Sequence, residues 1–232
     1  MFQSLLLTAA LSGSVSLKTE VQVNICESFN SLSAKLDLGN WKKKKSEQSL
    51  LVENRELFLY KRGWVFKAKL ANTSTVEITL KKNAGVRRID ESSPECEYDL
   101  HGELKKMACK LSQTMALADF QQQSAAGNFS ALLSRQQLDW LKSDDVELPQ
   151  NLELTSAFLD EEYGLSAAKY DLGVTTNASG REFIEISTRA DSQIERQKQT
   201  ELLQFLRDRG VSVCADQSAI QTRNKLDSFF NP

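Results

Sequence analysis

Residues 65–82 read VFKAKLANTSTVEITLKK. Lys67 and Lys69 alternate with Phe66, Ala68 and Leu70. After a short turn, Glu77, Thr79 and Lys81 alternate with Val76, Ile78 and Leu80. Successive side chains of a strand point to opposite faces, so this period of two predicts a β-hairpin. One of its faces is apolar. The other carries the ammoniums of Lys67, Lys69 and Lys81 and the carboxylate of Glu77. The fold is decided by where that charged face points, to bulk water or into a cavity.

The same division recurs along the chain. In 18–25, Glu20, Gln22 and Asn24 oppose Val21, Val23 and Ile25. In 95–100, Glu95, Glu97 and Asp99 oppose Cys96, Tyr98 and Leu100. In 181–189, Arg181, Phe183, Glu185, Ser187 and Arg189 oppose Ile184 and Ile186. Strands are also expected over 49–54, 151–158 and 165–172, with 57–60 extended or turning and 211–214 short and extended. Helical spacing predicts helices over 26–38 (stopped at Gly39), over 111–126 and over 217–230. Ser134 is expected to open another helix, with Gln137 at the reciprocal capping-box position. Asp191 is expected to cap a long helix that ends before Gly210. The lysine run at 42–45 reads as a solvated edge or loop, and 83–94 as a long loop. No repeat, low-complexity tract or linker divides the chain, which reads as one α+β domain over 17–232.

Length and composition bound the rest. A chain of 232 residues with a 41% apolar share supports a sizeable core. A net charge of −2 gives no global reason to bind nucleic acid or an anionic membrane, so any basic site is local. Leu5–Leu11 with the small residues after it reads as a signal peptide ending near Ser16, although its first residues, MFQS, carry no basic side chain. No later stretch is apolar enough for a membrane helix, so a secreted or periplasmic mature protein is expected. In an oxidising compartment Cys26, Cys96, Cys109 and Cys214 allow two disulfides in three connectivities. The short segment between Cys96 and Cys109 puts that bridge first, leaving Cys26 for Cys214. Without export, four buried thiols is the other reading. His101 is the sole histidine and no cysteine pair has zinc spacing, which argues against a zinc site. Sequons at Asn72, Asn128 and Asn177 matter only in a host that glycosylates exported proteins.

Periodicity alone fits two sheets. An open sheet turns its charged face to solvent. A closed sheet turns that face inward around a wet lumen and hides its apolar outside under amphipathic helices. Clustered ammoniums in a lumen repel one another until a polyanion enters, and carboxylates beside them suit a hard divalent cation.

The order of these segments resembles the CYTH superfamily, the triphosphate tunnel metalloenzymes. Its opening E-x-E-x-K strand is matched by Glu20-Val-Gln22-Val-Asn24, and its basic R-x-R pair by Lys67-Ala-Lys69. Its T-x-K strand is matched by Thr79-Leu-Lys81, its acidic E-x-E strand by Glu95-Cys-Glu97, and its late acidic residue by Glu185. The resemblance spans nearly all of the mature chain and implies an antiparallel β-barrel or tunnel with a polar lumen. It further implies that Lys67, Lys69 and Lys81 hold a small phosphate anion, with Arg87, Arg88 and Arg181 as further phosphate ligands. Glu20, Glu95, Glu97 and Glu185 would hold Mg2+ or Mn2+, and Glu20 would join the three lysines in catalysis. Gln22 and Asn24 depart from the opening motif, and lysines replace both arginines of the basic pair, keeping the charge without the bidentate geometry. Two functions follow: metal-dependent hydrolysis of a triphosphate or polyphosphate, or a non-catalytic ligand-binding or structural protein that retains the tunnel. No G-x-S-x-G, Walker or Rossmann pattern occurs.

Overall fold

Thr19, Val21, Val23 and Ile25 bury their side chains along the first strand, and eight further strands repeat its alternation in a computed structural model that describes residues 17–70, 73–83, 95–165 and 169–215. The expected signal peptide, Arg87, Arg88, the sequon at Asn72 and the helix over 217–230 lie outside the described residues. The strands are β1 (Lys18–Ile25), β2 (Lys42–Glu53), β3 (Trp64–Leu70), β4 (Thr75–Asn83), β5 (Glu95–His101), β6 (Leu104–Ala116), β7 (Glu153–Leu165), β8 (Tyr170–Asn177) and β9 (Glu182–Asp191). They close into one barrel in the order β1-β5-β6-β4-β3-β2-β7-β8-β9, with β9 returning to β1. Every pair is antiparallel except β1–β5.

Directly opposed residues on neighbouring strands share a face, and the register carries one face round the whole barrel. Lys67 lies opposite Thr79 and Leu51, Lys81 opposite Lys110, and Asp99 opposite both Lys106 and Glu20. Asn24 lies opposite Glu185, Glu185 opposite Gly173, and Asp160 opposite Thr175. The charged faces therefore all look inward.

The apolar faces look outward and are roofed by helices. Outside β3, β4 and β6, buried Trp64, Phe66, Val76, Ile78 and Leu80 pack under α2 (Phe58–Lys61), α3 (Leu117–Ala125) and α4 (Arg135–Ser143). Outside β1, β8 and β9, Val23, Leu172 and Ile186 pack under α1 (Phe29–Leu36) and α5 (Glu195–Asp208). Each such side chain contributes roughly 1.5–3 kcal/mol by leaving water. Ser134 and Gln137 form the capping box, and Gln137 Nε2 also donates to the carbonyls of Ile78 (3.3 Å) and Leu111 (2.9 Å), so the cap also fastens α4 to β4 and β6. None of the helices among the described residues is long and apolar enough to cross a membrane.

Several local expectations are corrected. Residues 111–116 continue β6 instead of starting a helix, because they complete a nine-pair ladder with β4. Residues 57–60 are neither extended nor a plain turn: they open α2, whose Phe58 N donates to Asn54 Oδ1 (3.0 Å) and whose Leu59 N (3.1 Å) and Tyr60 N (2.8 Å) donate to the buried Glu53 carboxylate. Residues 165–172 are not one strand but the end of β7 and the start of β8. The lysine run opens β2, with Lys42–Lys44 exposed and Lys45 facing the lumen. Asp191 ends β9 and pairs with Lys18 at 2.6 Å, while α5 starts without a side-chain cap. The first helix stops at Asp37, in the left-handed region at φ 50°, before Gly39 is reached.

Disulfides join Cys96 to Cys109 across β5–β6 and Cys26 to Cys214. The second anchors a seam. β5 pairs only with 19–22 of β1. Beyond it the 212–214 segment takes over, with Cys26 N donating to Ser212 O (3.1 Å) and Cys214 N to Asn24 O (3.0 Å). Glu27 clamps that seam, accepting from Lys35 Nζ (2.6 Å), Ser31 Oγ (2.7 Å) and Ser212 N. Chiefly the Lys35 bond, then those of Ser212 and Ser31, hold its carboxyl down at about 2. A depressed acid stabilises the fold above its ordinary value and loses that contribution as pH falls from about 4.5 to about 2. Glu27→Gln is expected to cost on the order of 1 kcal/mol at pH 7, since water at the rim screens the pair, lowering Tm by about 2–4 °C. Melts at pH 7 and near pH 2 check this: the gap between variant and parent closes at the acid end, and an unchanged gap would refute the clamp.

Candidate functional site

Among the described residues, two adjoining cavities of opposite character lie in the lumen. One, of about 290 Å³, is lined by Lys67, Lys69, Lys81, Lys106 and Lys110, with Asp99 and Glu185 as its only carboxylates among the described residues. The other, of about 240 Å³, brings six carboxylates (Glu20, Asp160, Glu161, Glu162, Asp171 and Glu185) against Lys45, Lys67, Lys69 and Arg189. Lys67, Lys69 and Glu185 line both, so the basic and acidic halves meet at these side chains.

Each predicted lysine is held by a carboxylate. Lys67 Nζ lies 3.2 Å from Asp160 Oδ2, and Asp160 also accepts from Ser49 Oγ (2.8 Å) and Thr175 Oγ1 (2.7 Å). Lys69 donates to Glu77 at 3.2 Å. Burial pushes the Glu77 carboxyl up, but Lys69 and the hydroxyls of Thr79 and Ser112 outweigh it, and the net shift is down. Lys81 faces Asp99 at 3.5 Å. Beyond Lys67 the lumen turns apolar, with Leu51 and Phe158 buried and Val65 and Phe183 packed on them.

Oxygens of Glu20, Glu97 and Asp99 come within 4.8 Å of one another. Gln22 Nε2 donates to Glu20 at 2.8 Å and Ser187 Oγ donates to it at 3.1 Å, which fixes that carboxylate. Arg189 approaches Glu97 at 3.9 Å. Asp99 Oδ1 is buried with no hydrogen-bond partner among the described residues. Burial pushes the Asp99 carboxyl up to about 6; Lys81 opposes that shift, while the charges of Glu20 and Glu97 add to it. Such a group is costly without a cation. Its donors are all hard oxygens, the set that Mg2+ or Mn2+ takes and a soft metal does not, so the residues present fit a hard divalent ion.

No family model matches the sequence, and no curated protein does. Solved structures do. An adenylate cyclase candidate from Bacillus halodurans is similar with a TM-score of 0.59 at 15% identity, over 89% of this chain and 96% of that one. An adenylyl cyclase candidate from Hippeastrum with a dominant triphosphatase activity is similar with a TM-score of 0.56 at 13% identity, over 89% and 95%. The fold is CYTH-like. Identities this low carry the architecture and leave the chemistry to be argued from the site.

In this CYTH-like tunnel, Lys67, Lys69 and Lys81 come together with Glu20, Glu97 and Glu185. Among the described residues, the two other sequence-predicted ones, Glu95 and Arg181, stand elsewhere. Glu95 sits at the start of β5, its side chain 82% exposed and 3.2 Å from Lys110, apart from the three-carboxylate group. Arg181 lies in the β8–β9 turn, where its N–H donates to Asn177 Oδ1 and its guanidinium stacks 5.4 Å from the Phe183 ring centroid, outside both cavity linings. Asp99, Lys106, Lys110 and Asp160 were not singled out from the sequence as site residues. Lys106 and Lys110 carried a readable signal, since they alternate with Met107 and Cys109. His101 also lines the basic cavity; burial first, then Lys81 and Lys106, push its imidazole down to about 3, so it is neutral there.

Proposed function

We propose that the tunnel binds a triphosphate or linear polyphosphate and hydrolyses its terminal phosphoanhydride with the help of Mg2+ or Mn2+. The observation that carries this reading is the convergence of five lysines on one half of a closed lumen, with three facing carboxylates beside them. Lys67, Lys69 and Lys81, joined by Lys106 and Lys110, hold phosphate oxygens and neutralise charge that would otherwise keep the anion in water. Glu20, Glu97 and Asp99 hold the cation. When bound, the cation withdraws charge from phosphate oxygens and lowers the pKa of water. Phosphoryl transfer needs positioning and charge neutralisation, with no covalent intermediate. The basic cluster faces a cavity of about 290 Å³, which favours a small anion over nucleic acid as partner. Export to a secreted or periplasmic location, with 17–232 as one mature domain, is part of the same proposal and is supported by the two disulfides.

The second reading is a tunnel that binds without turnover. It is favoured by Gln22, which spends its amide on Glu20 where the resemblance expects another carboxylate. Calorimetric titration with tripolyphosphate, together with orthophosphate release measured with and without Mg2+, decides between them. Binding with Mg2+-dependent release supports hydrolysis. Binding without release supports the second reading, and the absence of binding overturns both.

A further inference from the structure

We propose that Glu185 is the general base of this hydrolysis, taking a proton from the attacking water, and is not a ligand of the divalent cation. The inference rests on the hydrolytic reading above. Every other carboxylate lining the two cavities is engaged by a described residue: Glu20 by Gln22 and Ser187, Asp160 by Lys67, Asp99 by Lys81, and those at 161, 162 and 171 by Lys43 or Lys44. Glu185 alone has no hydrogen bond or ion pair among the described residues. It also stands where the lysine-lined and acid-lined halves meet. A terminal phosphoryl group held by Lys67 and Lys69 would lie beside it.

Its two cross-strand neighbours explain why it is unengaged. On β1 the partner is Asn24, at the position where the resemblance expects a lysine. An ammonium there would pair with Glu185 and occupy its lone pairs; a carboxamide brings no charge. On β8 the partner is Gly173, where a Cβ would come within 3.3 Å of Glu185 Cγ. The glycine leaves the side chain room beside the lumen. Glu185 is also not one of the three carboxylates, Glu20, Glu97 and Asp99, whose oxygens lie within 4.8 Å of one another.

The step balances as follows. The water oxygen bonds to the terminal phosphorus while the bond from that phosphorus to the bridging oxygen breaks. The bridging oxygen leaves with the electron pair, on the shortened phosphate chain. The proton of the water passes to a Glu185 carboxylate oxygen, and orthophosphate is released.

The full chain is tested with tripolyphosphate as substrate and Mg2+ alone as the metal probe. Glu185→Gln is expected to lower kcat by about 100-fold or more, the usual worth of a positioned base. Its KM and its Mg2+ affinity, read by calorimetry without substrate, are expected to stay within about twofold of the parent. Glu185→Asp, which keeps the base but shortens it, is expected to have an intermediate kcat, and it guards against a folding defect in the first variant. A Mg2+ affinity reduced about tenfold or more in Glu185→Gln would make Glu185 a metal ligand and overturn the proposal. So would a kcat within about threefold of the parent. A parent protein that binds tripolyphosphate but releases no orthophosphate overturns the hydrolytic reading itself. Parent turnover that survives Glu185→Gln overturns this inference alone.

Discussion

Tripolyphosphate binding is expected to weaken by at least about 100-fold when Lys67 and Lys81 are both replaced by alanine. Each ammonium offers a charge-assisted contact worth roughly 1.5–3 kcal/mol to a phosphate oxygen, so losing two costs roughly 3–6 kcal/mol. The two stand on neighbouring strands and both line the basic cavity, so they reach one ligand. Their present partners do not abolish this. Lys67 is held at 3.2 Å by an Asp160 that has two hydroxyl donors besides, and Lys81 is only loosely held by Asp99 at 3.5 Å. An incoming polyanion therefore competes with Asp160 at Lys67 and with Asp99 at Lys81. Lys198→Ala, on the outer helix α5, is the control and is expected to leave binding unchanged. Calorimetry at fixed ionic strength measures all three proteins. Double-variant binding within about threefold of the parent would remove these lysines from the site.

The barrel was legible because its inside is polar and its outside is roofed. At 18–25, 65–82 and 181–189 each inward Lys, Glu or Gln alternates with an outward Val, Ile, Leu or Phe, and that contrast survives in one dimension. Closure was not legible. It depends on β5 running parallel to β1 over four residue pairs, a long-range pairing that no local pattern encodes. The same pairing explains the shift in the acidic site. Glu95, Glu97 and Asp99 share a face, and the resemblance matched the first two. The register sets Glu20 against Asp99, which brings the later pair inward and leaves Glu95 at the rim. Residues 111–116 misread as helix for another reason: Leu111 and Met115 are four apart and precede the true helix α3, so helical spacing ran on into a strand that β4 holds by its ladder.

Asp99→Asn is expected to stabilise the metal-free protein while removing its response to Mg2+. In the folded chain the Asp99 carboxyl titrates near 6, against an ordinary value of 3.8. An acid whose folded value is raised binds its proton more tightly in the folded state. Its penalty is therefore full above about pH 6 and relieved as the pH falls toward 4. Raising the carboxyl from 3.8 to about 6 corresponds to roughly 3 kcal/mol at neutral pH. Asparagine removes the buried charge but also takes the carboxylate from Lys81, so the net gain is expected to be about 1–2 kcal/mol, raising Tm by about 2–8 °C in EDTA. Mg2+ reverses the order. A cation that binds the folded parent raises its Tm by mass action, and the variant, with one of three carboxylates gone, gains little. Thermal unfolding of parent and variant in EDTA and across a Mg2+ series reads both effects. A variant less stable than the parent in EDTA, or one that keeps the full Mg2+ response, would show that the buried, unpartnered oxygen of Asp99 has another use. Function and stability oppose each other at this residue, because the charge that burdens the metal-free barrel is the one a cation needs.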